Sequence, residues 1–164
     1  IPGINDPKVV SAAQVLHDEV TLGDRVAVIG GGIVGTEVGL VVAEAGRQVT
    51  FIEMLDEFMC NITFDERQVY QLRFQDLDVS INTGQRLIEV TPGGVKTVDR
   101  CGAVTEFPAD SVVLAAGFRP NRELIEGLKA VPGLQVAEVG DCVRPRKIYD
   151  AIHEGHLAAK LLDC

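Results

Sequence analysis

The chain has 164 residues, of which 46% are hydrophobic and 24% are charged, and its formal net charge is −9 at pH 7. This composition is typical of a folded globular protein and excludes a disordered chain. The negative charge excludes nucleic acid and anionic membrane surfaces as partners, because both are bound through basic patches.

Cysteine usage and hydropathy narrow the class further. The four cysteines are scattered without a C-x-x-C pair, namely Cys60, Cys101, Cys142 and Cys164. This favours reduced thiols in a cytoplasmic protein over a disulfide framework or a zinc site. Residues 26–45 form an apolar run of membrane-spanning length, but Glu37 and Glu44 interrupt it, so we predict no transmembrane helix. Because the chain starts at Ile1 without a methionine, we expect it to be part of a longer protein.

The first half of the chain alternates between predicted strands and helices. A short apolar run at Val9–Val10 and a helix-like stretch at residues 12–18 precede a buried strand at Arg25–Ile29. A glycine-rich turn and a helix to about residue 45 follow, and then a second parallel strand at Gln48–Ile52. The helix has apolar residues at spacings of four, three and four, which predicts a buried stripe of Val34, Val38, Val41 and Ala45.

The second half changes character after residue 82. A helix at residues 65–77 and a strand at 79–82 are followed by three short alternating runs, which predict an antiparallel meander. The runs are Leu87–Val90, Val95–Val98 and Val104–Phe107. Further strands are predicted at 111–115 and 136–139, with helices at 122–128 and 148–162.

The turn after the first strand has the pattern G-x-G-x-x-G. It consists of Gly30, Gly31, Gly32, Ile33, Val34 and Gly35. The first glycine permits the tight turn, the second lets the backbone approach a pyrophosphate, and the third lets the helix pack close to the sheet. The helix N-terminus then offers N–H donors to the phosphates. The alternative is that these glycines serve only the packing of strand and helix.

Glu53 ends the second strand, 18 residues beyond Gly35. A carboxylate at this place accepts hydrogen bonds from the adenine-ribose hydroxyls and repels a 2′-phosphate. No Arg or Lys occurs among the four residues that follow it. The sequence therefore predicts NAD(H) rather than NADP(H), and a solvated acid at a strand end is the alternative.

The order of these features resembles the pyridine nucleotide-disulfide oxidoreductase superfamily. Within it, the chain is most similar to the C-terminal region of NADH:flavin oxidoreductases of the 2,4-dienoyl-CoA reductase and enoate reductase type, which carry an Old-Yellow-Enzyme-like barrel. The stretches that carry the resemblance are residues 1–4, VIGGGIVGTE at 28–37, residues 49–53, VVLAAGFRP at 112–120 and VGDCVRPRKIYDAIHEG at 139–155. The last stretch is the most specific.

The resemblance implies further cofactor residues. Gly117 would lie in the turn where the chain returns to an FAD domain, and Gly140 with Asp141 would contact the ribityl or pyrophosphate part of FAD. Glu37 matches a position near the nicotinamide, and the helix beginning near Ile148 would point at the flavin ring. For Asp141 alone, a turn-forming role after glycine is the alternative.

These inferences predict an α/β fold, with a Rossmann-like parallel sheet, a β-meander crossover and a partial second dinucleotide domain of the FAD type. Residues 24–110 would form the NAD(H)-binding Rossmann domain. Residues 1–23 and 111–164 would form the returning part of an FAD-binding domain, whose remainder is absent from the chain. No catalytic residue is assigned, since the cofactors carry the chemistry.

The sequence also departs from the superfamily's pattern. It has no first, FAD-type glycine fingerprint and no redox-active cysteine pair, which favours electron relay from NADH to a flavin over disulfide reduction. His153 and His156 are spaced i and i+3, not the i and i+4 of a metalloprotease helix, so no metal is predicted. A regulatory NAD-sensing domain and a structural domain that has lost its ligand are the alternatives to an enzyme.

The expected partners follow from the missing parts. The dinucleotide, the absent half of the FAD domain and a barrel domain are expected, and the isolated chain is expected to be inactive and free of FAD. Residues 112–115 and 136–139 would lack partner strands, and the apolar positions Leu157, Leu161 and Leu162 would be uncovered. Such edges and patches associate with copies of themselves, so a homo-oligomer is expected.

Overall fold

The computed structural model describes residues 1–162, and Cys164 lies outside the described residues. The chain forms two compact units, the first from Ile1 to Gly117 and the second beginning at Phe118. The contact boundary therefore lies at Gly117, whereas the sequence analysis placed its domain boundaries at 23/24 and 110/111. The assignment of the flanking segments to an FAD-type domain stays a prediction.

The first unit contains eight strands and three helices within the described residues. The strands are β1 Val9–Ser11, β2 Arg25–Ile29, β3 Gln48–Ile52, β4 Val79–Asn82, β5 Arg86–Thr91, β6 Gly94–Val98, β7 Val104–Pro108 and β8 Ser111–Leu114. The helices are α1 Ala12–Leu16, α2 Ile33–Glu44 and α3 Phe64–Phe74. Five strands form a parallel sheet in the order β1-β8-β2-β3-β4, and β5-β6-β7 form a separate antiparallel sheet. The predicted α/β fold with its meander is confirmed.

Alternate side chains of the parallel strands point to opposite faces, and both faces are covered. Val26 and Val28 of β2 belong to the cluster that packs against the helices. Ala27 and Ile29 of the same strand pack with Leu87, Val90 and Val95 of the antiparallel sheet. Burial on both sides explains why β2 is a continuous apolar run.

Strand β8 lies between β1 and β2. Its residues Val112 and Val113 are fully buried. The expectation that residues 112–115 form an exposed edge is therefore wrong. The short run at Val9–Val10, which forms β1, supplies the partner strand on its other side.

The prediction of a buried apolar stripe on α2 is wrong for its last two positions. Val38 is fully buried, but Val41 is 50% exposed and Ala45 is exposed as well. A Cβ added at Gly39 would lie 2.2 Å from the ring of Phe51, and Gly35 has a similarly close neighbour. The two glycines, four residues apart, mark the line along which the helix touches the sheet, and apolar periodicity gives no weight to glycine.

An ion pair between Arg25 and Asp110 lies at the end of the parallel sheet that is opposite to the glycine turn. The guanidinium of Arg25, at the start of β2, donates to both carboxylate oxygens of Asp110 at 3.1 and 2.6 Å, and the Arg25 N–H donates to the same group. These hydrogen bonds lower the pKa of Asp110 to about 2. The pair joins β2 to the turn that precedes β8.

The second unit contains the helices α4 Glu123–Lys129 and α5 Ile148–Leu162 and a short 3₁₀ turn at Gly140–Cys142. The predicted strand at 136–139 does not form in the described structure. No strand of this unit is available to pair with it, and a strand needs a partner for its backbone groups. Glu138 instead forms ion pairs with Arg122 and Lys129.

None of the helices within residues 1–162 combines the length and the apolar character needed to cross a membrane.

Candidate functional site

The glycine turn leads from β2 into α2 through contacts that exclude side chains. Gly30 has φ +111°, and a Cβ there would lie 2.6 Å from the carbonyl oxygen of Ala115. A Cβ at Gly35 would lie 1.9 Å from the carbonyl oxygen of Gly30. The first and third glycines of the pattern are thus required by packing against β8 and within the turn.

Gly32 differs, because the atoms nearest to an added Cβ belong to a side chain and not to the backbone. It is the N-cap of α2 with an extended backbone (φ −78°) and provides no side-chain cap to the helix. A Cβ there would meet only the side-chain amide of Asn61, at 3.3 Å from its nitrogen and 3.4 Å from its oxygen. The first-turn N–H groups of α2, which include those of Ile33 and Val34, have no intrahelical acceptor. N–H groups at a helix start without a side chain at the N-cap are the kind of site that a pyrophosphate binds. That a pyrophosphate binds here stays a prediction.

Glu53 lies directly after β3 and is only 8% exposed. Its carboxylate oxygens accept hydrogen bonds from the backbone N–H of Gly31 at 2.6 Å and from that of Leu55 at 2.8 Å. An ionised carboxylate has about four lone-pair sites, so each oxygen retains one for another donor. The carboxylate is therefore held in place by the protein and can still accept ribose hydroxyls. The alternative of a solvated acid does not fit this burial.

The loop between β3 and α3, for which the sequence predicts no role, packs against the glycine turn. The N–H of Met59 donates to the carbonyl oxygen of Gly31 at 2.9 Å, and the ring of Phe58 lies 2.4 Å from where a Gly31 Cβ would be. Met59 is buried and has φ +61°, a conformation uncommon for a residue with a side chain. Arg67 of α3 donates to the Met59 carbonyl at 2.9 Å and forms an ion pair with Glu57.

The fold also brings cations to the loop after Glu53, which a search of the adjacent sequence could not find. Arg67 pairs with Glu57 at 2.5 Å, and Arg100, from the turn between β6 and β7, pairs with Asp56 at 2.6 Å. Each arginine is paired with a carboxylate of the loop itself. Although no Arg or Lys follows Glu53 directly in sequence, two arginines from other segments therefore pair with the loop after it.

Glu37 is exposed on α2, one turn into the helix. The hydroxyl of Tyr70 on α3 donates to its carboxylate at 3.4 Å. The two side chains line a shallow groove of about 290 Å³ together with Leu16, Leu40, Val41 and Arg73. Burial and then the Glu37 charge raise the pKa of Tyr70. The proximity of Glu37 to a nicotinamide stays a prediction.

The predicted flavin-contacting turn, Gly140–Asp141, is built by the second unit. Gly140 has φ +70°, and its N–H donates to the carboxylate of Glu154 at 2.7 Å. Asp141 is exposed and accepts a hydrogen bond from the N–H of Arg146 at 3.1 Å, and the Arg146 guanidinium pairs with Glu154. The Arg146 hydrogen bond, followed by the Gly140 N–H, lowers the pKa of Glu154.

The sequence predicts no role for Glu154, although this residue lies within the stretch 139–155 that carries the family resemblance. Within residues 1–162, no group of three or more His, Cys, Asp or Glu side chains is placed to hold a metal ion. Asp141 lines a depression of about 250 Å³ together with Phe118, Arg119, Asn121, Cys142 and Pro145. Gly117, the last residue of the first unit, has φ +97° with open space around it, as suits a chain turn.

Comparison with known proteins gives consistent matches. The family model described as pyridine nucleotide-disulphide oxidoreductase matches residues 1–137. The chain is 39% identical over 163 residues to a bilirubin reductase of Mediterraneibacter gnavus, covering 99% of this chain and 25% of that protein. It is 33% identical over 150 residues to an NADH oxidase of Thermoanaerobacter brockii, covering 92% of this chain and 23% of that protein.

Among solved structures, a 2-naphthoyl-CoA reductase complexed with 2-naphthoyl-CoA matches with a TM-score of 0.83 at 30% identity. The match covers 94% of this chain and 24% of that one. The chain thus spans about a quarter of the length of each relative named here.

Two glycine substitutions are expected to act differently. Gly35→Ala places a methyl group against a backbone oxygen that cannot move away, so we expect it to lower the free energy of unfolding by about 1–3 kcal/mol or more. Gly32→Ala meets the exposed side-chain amide of Asn61 at 3.3 Å, a contact that a small shift of this side chain relieves. We therefore expect near-unchanged stability and a roughly tenfold or greater rise in the NADH dissociation constant, equivalent to about 1.4 kcal/mol or more. Denaturant unfolding and NADH titration measure the two effects. An unchanged NADH affinity in Gly32→Ala would place the phosphates elsewhere.

Proposed function

The chain belongs to the pyridine nucleotide-disulphide oxidoreductase family, and we propose that it is the NAD(H)-binding portion of an FAD-dependent NADH:flavin oxidoreductase. Members of this family bind FAD and NAD(P)H. In the proposed reaction NADH supplies a hydride and the flavin accepts it. The residues of this chain bind and orient the dinucleotide.

The observation that carries the proposal is the joined geometry of the glycine turn and Glu53. Gly32 places no side chain at the start of α2, and the carboxylate of Glu53 accepts a hydrogen bond from the N–H of Gly31, the preceding residue. A pyrophosphate at the helix start and a ribose at the carboxylate would therefore belong to one ligand, in the order found in a dinucleotide. This arrangement supports Gly30 to Gly35 and Glu53 as cofactor-binding residues.

The subclass is proposed from the proteins to which the chain is similar. Its similarity to a bilirubin reductase and to a 2-naphthoyl-CoA reductase extends over 99% and 94% of its length. Both matches are to reductases, which supports the type represented by 2,4-dienoyl-CoA and enoate reductases. The family resemblance further implies an Old-Yellow-Enzyme-like barrel elsewhere in the full protein.

A regulatory NAD-sensing domain is not favoured. Such a domain needs the glycine turn and Glu53 but has no use for the turn at Gly140–Asp141. In that turn the Gly140 N–H donates to Glu154, whose carboxylate also pairs with the Arg146 guanidinium, and the Arg146 N–H donates to the carboxylate of the exposed Asp141. A braced turn with an exposed carboxylate suits the contact with FAD that the family resemblance implies.

Glu53 is expected to set the preference for NADH. Glu53→Gln keeps the size of the side chain but removes the charge that repels a 2′-phosphate, so the ratio of NADPH to NADH dissociation constants should fall. We expect NADH itself to bind more weakly by about 1–3 kcal/mol, because a charge-assisted bond to ribose is lost. Titration of the intrinsic fluorescence of each reduced nucleotide gives both constants. Equal affinity of the unmodified chain for NADH and NADPH would contradict the role of Glu53.

The isolated chain is expected to carry no FAD and to self-associate. The one glycine turn before a helix that could take a pyrophosphate is assigned to NADH, and Asp141 with α5 offers too few contacts to overcome the cost of immobilising FAD. Several apolar side chains of α5 are exposed, namely Ile148, Ile152, Leu157 and Leu161. They are expected to pair with a second copy. An absorption spectrum and a sizing column test both points, and a yellow monomer would contradict them.

A further inference from the structure

The two arginines beside the loop after Glu53 are held in different ways. Arg67 donates to the carbonyl oxygen of Met59 as well as to Glu57, and its Nε is buried without a partner in the described part of the chain. Arg67 is therefore committed to holding the loop in place. Arg100 is 70% exposed, and the partner that the structure gives its guanidinium is the Asp56 carboxylate, at 2.6 Å.

Asp56 lies three residues after Glu53, and backbone hydrogen bonds hold Glu53 and Leu55 in the segment that precedes it. The N–H of Leu55 donates to the Glu53 carboxylate, and the N–H of Gly84 donates to the carbonyl oxygen of Leu55 at 2.8 Å. The N–H of Gln85 donates to the carbonyl oxygen of Glu53 at 2.9 Å. A Cβ at Gly84 would lie 3.7 Å from a carboxylate oxygen of Asp56. Asp56, with its partner Arg100, thus lies three residues beyond the carboxylate that would bind the adenine ribose and beside Gly84.

We propose that Asp56 is a specificity-determining residue, which occupies Arg100 and so denies a 2′-phosphate its cation. The inference rests on the proposed function, because it assigns the adenine ribose to Glu53. Arginine has a planar set of N–H donors that matches phosphate oxygens. While Asp56 takes those donors, NADPH meets the carboxylates of Glu53 and Asp56 without a cation to balance its phosphate. NADH, which has only hydroxyl groups there, is unaffected by the pair.

Asp56→Asn tests this directly. The substitution keeps the size of the side chain, removes one negative charge and leaves the Arg100 guanidinium available. We expect the NADPH dissociation constant to fall roughly tenfold, the effect of one charge-assisted hydrogen bond, while that of NADH changes little. Because the new contact is exposed, the gain should shrink as salt is raised from about 0.05 to about 0.5 M. Fluorescence titration of the reduced nucleotides measures each constant.

Glu44→Gln is the matched control. Glu44 pairs with Arg73 at 2.5 Å on α2 and α3, so its substitution makes the same change in net charge and also releases an arginine. We expect it to leave the affinity for NADPH almost unchanged. The double variant Asp56→Asn with Arg100→Gln should lose the gain in affinity that Asp56→Asn provides.

The possible results separate the two proposals. If the unmodified chain binds NADH but Asp56→Asn improves NADPH binding no more than Glu44→Gln does, the role of Asp56 is overturned and the proposed function stands. A gain that persists in the double variant without Arg100 overturns it as well. If the unmodified chain binds neither nucleotide, the proposed function itself fails.

Discussion

The hydrogen bond from the Gly31 N–H to the Glu53 carboxylate holds the candidate site together. It joins the turn after β2 to the end of β3, and it is short, at 2.6 Å, and largely buried. The same glycine accepts a hydrogen bond from Met59 through its carbonyl oxygen. Gly31 thus ties together the glycine turn, the acid at the strand end and the loop that contains Met59. A charge-assisted bond of this kind is among the stronger hydrogen bonds in proteins.

The parallel sheet makes this bond possible. The register pairs Ile29 with Ile52 and with Leu114, so β2, β3 and β8 end at the same level. The residues that follow these ends, Gly30, Glu53 and Ala115, are therefore neighbours, and each continues the ladder by one N–H bond to an adjacent strand. Ligands of open α/β sheets bind at this carboxyl edge. The ion pair of Arg25 and Asp110 lies at the other end and takes no part in the site.

Much of this arrangement could be predicted from local sequence. The strand before the glycine turn, the helix after it and the acid 18 residues later are all short-range patterns, and the three glycines have distinct steric requirements that the structure reproduces at Gly30 and Gly35. The meander was predictable for the same reason, because its alternation and its turn residues are local signals. The hydrogen bond from the Gly31 N–H to Glu53 could not be predicted, because no sequence pattern indicates which backbone N–H a carboxylate accepts.

The remaining errors and omissions involve contacts between distant segments. Arg100 is 44 positions from Asp56, so no search around Glu53 could find it. The strand expected at 136–139 had the right residue types but no partner, and Glu138 there is held by ion pairs instead. The burial of α2 at Gly39 depends on the ring of Phe51, which lies in the next strand.

The central claim is that one dinucleotide contacts both the start of α2 and the Glu53 carboxylate. Backbone amide NMR of the isotope-labelled chain during titration with NADH tests it most directly. We expect the largest changes in amide chemical shift at Gly31, Gly32, Ile33 and Leu55, whose N–H groups lie at the helix start or donate to the Glu53 carboxylate. Shift changes confined to other amides, with these four unmoved at saturating NADH, would contradict it.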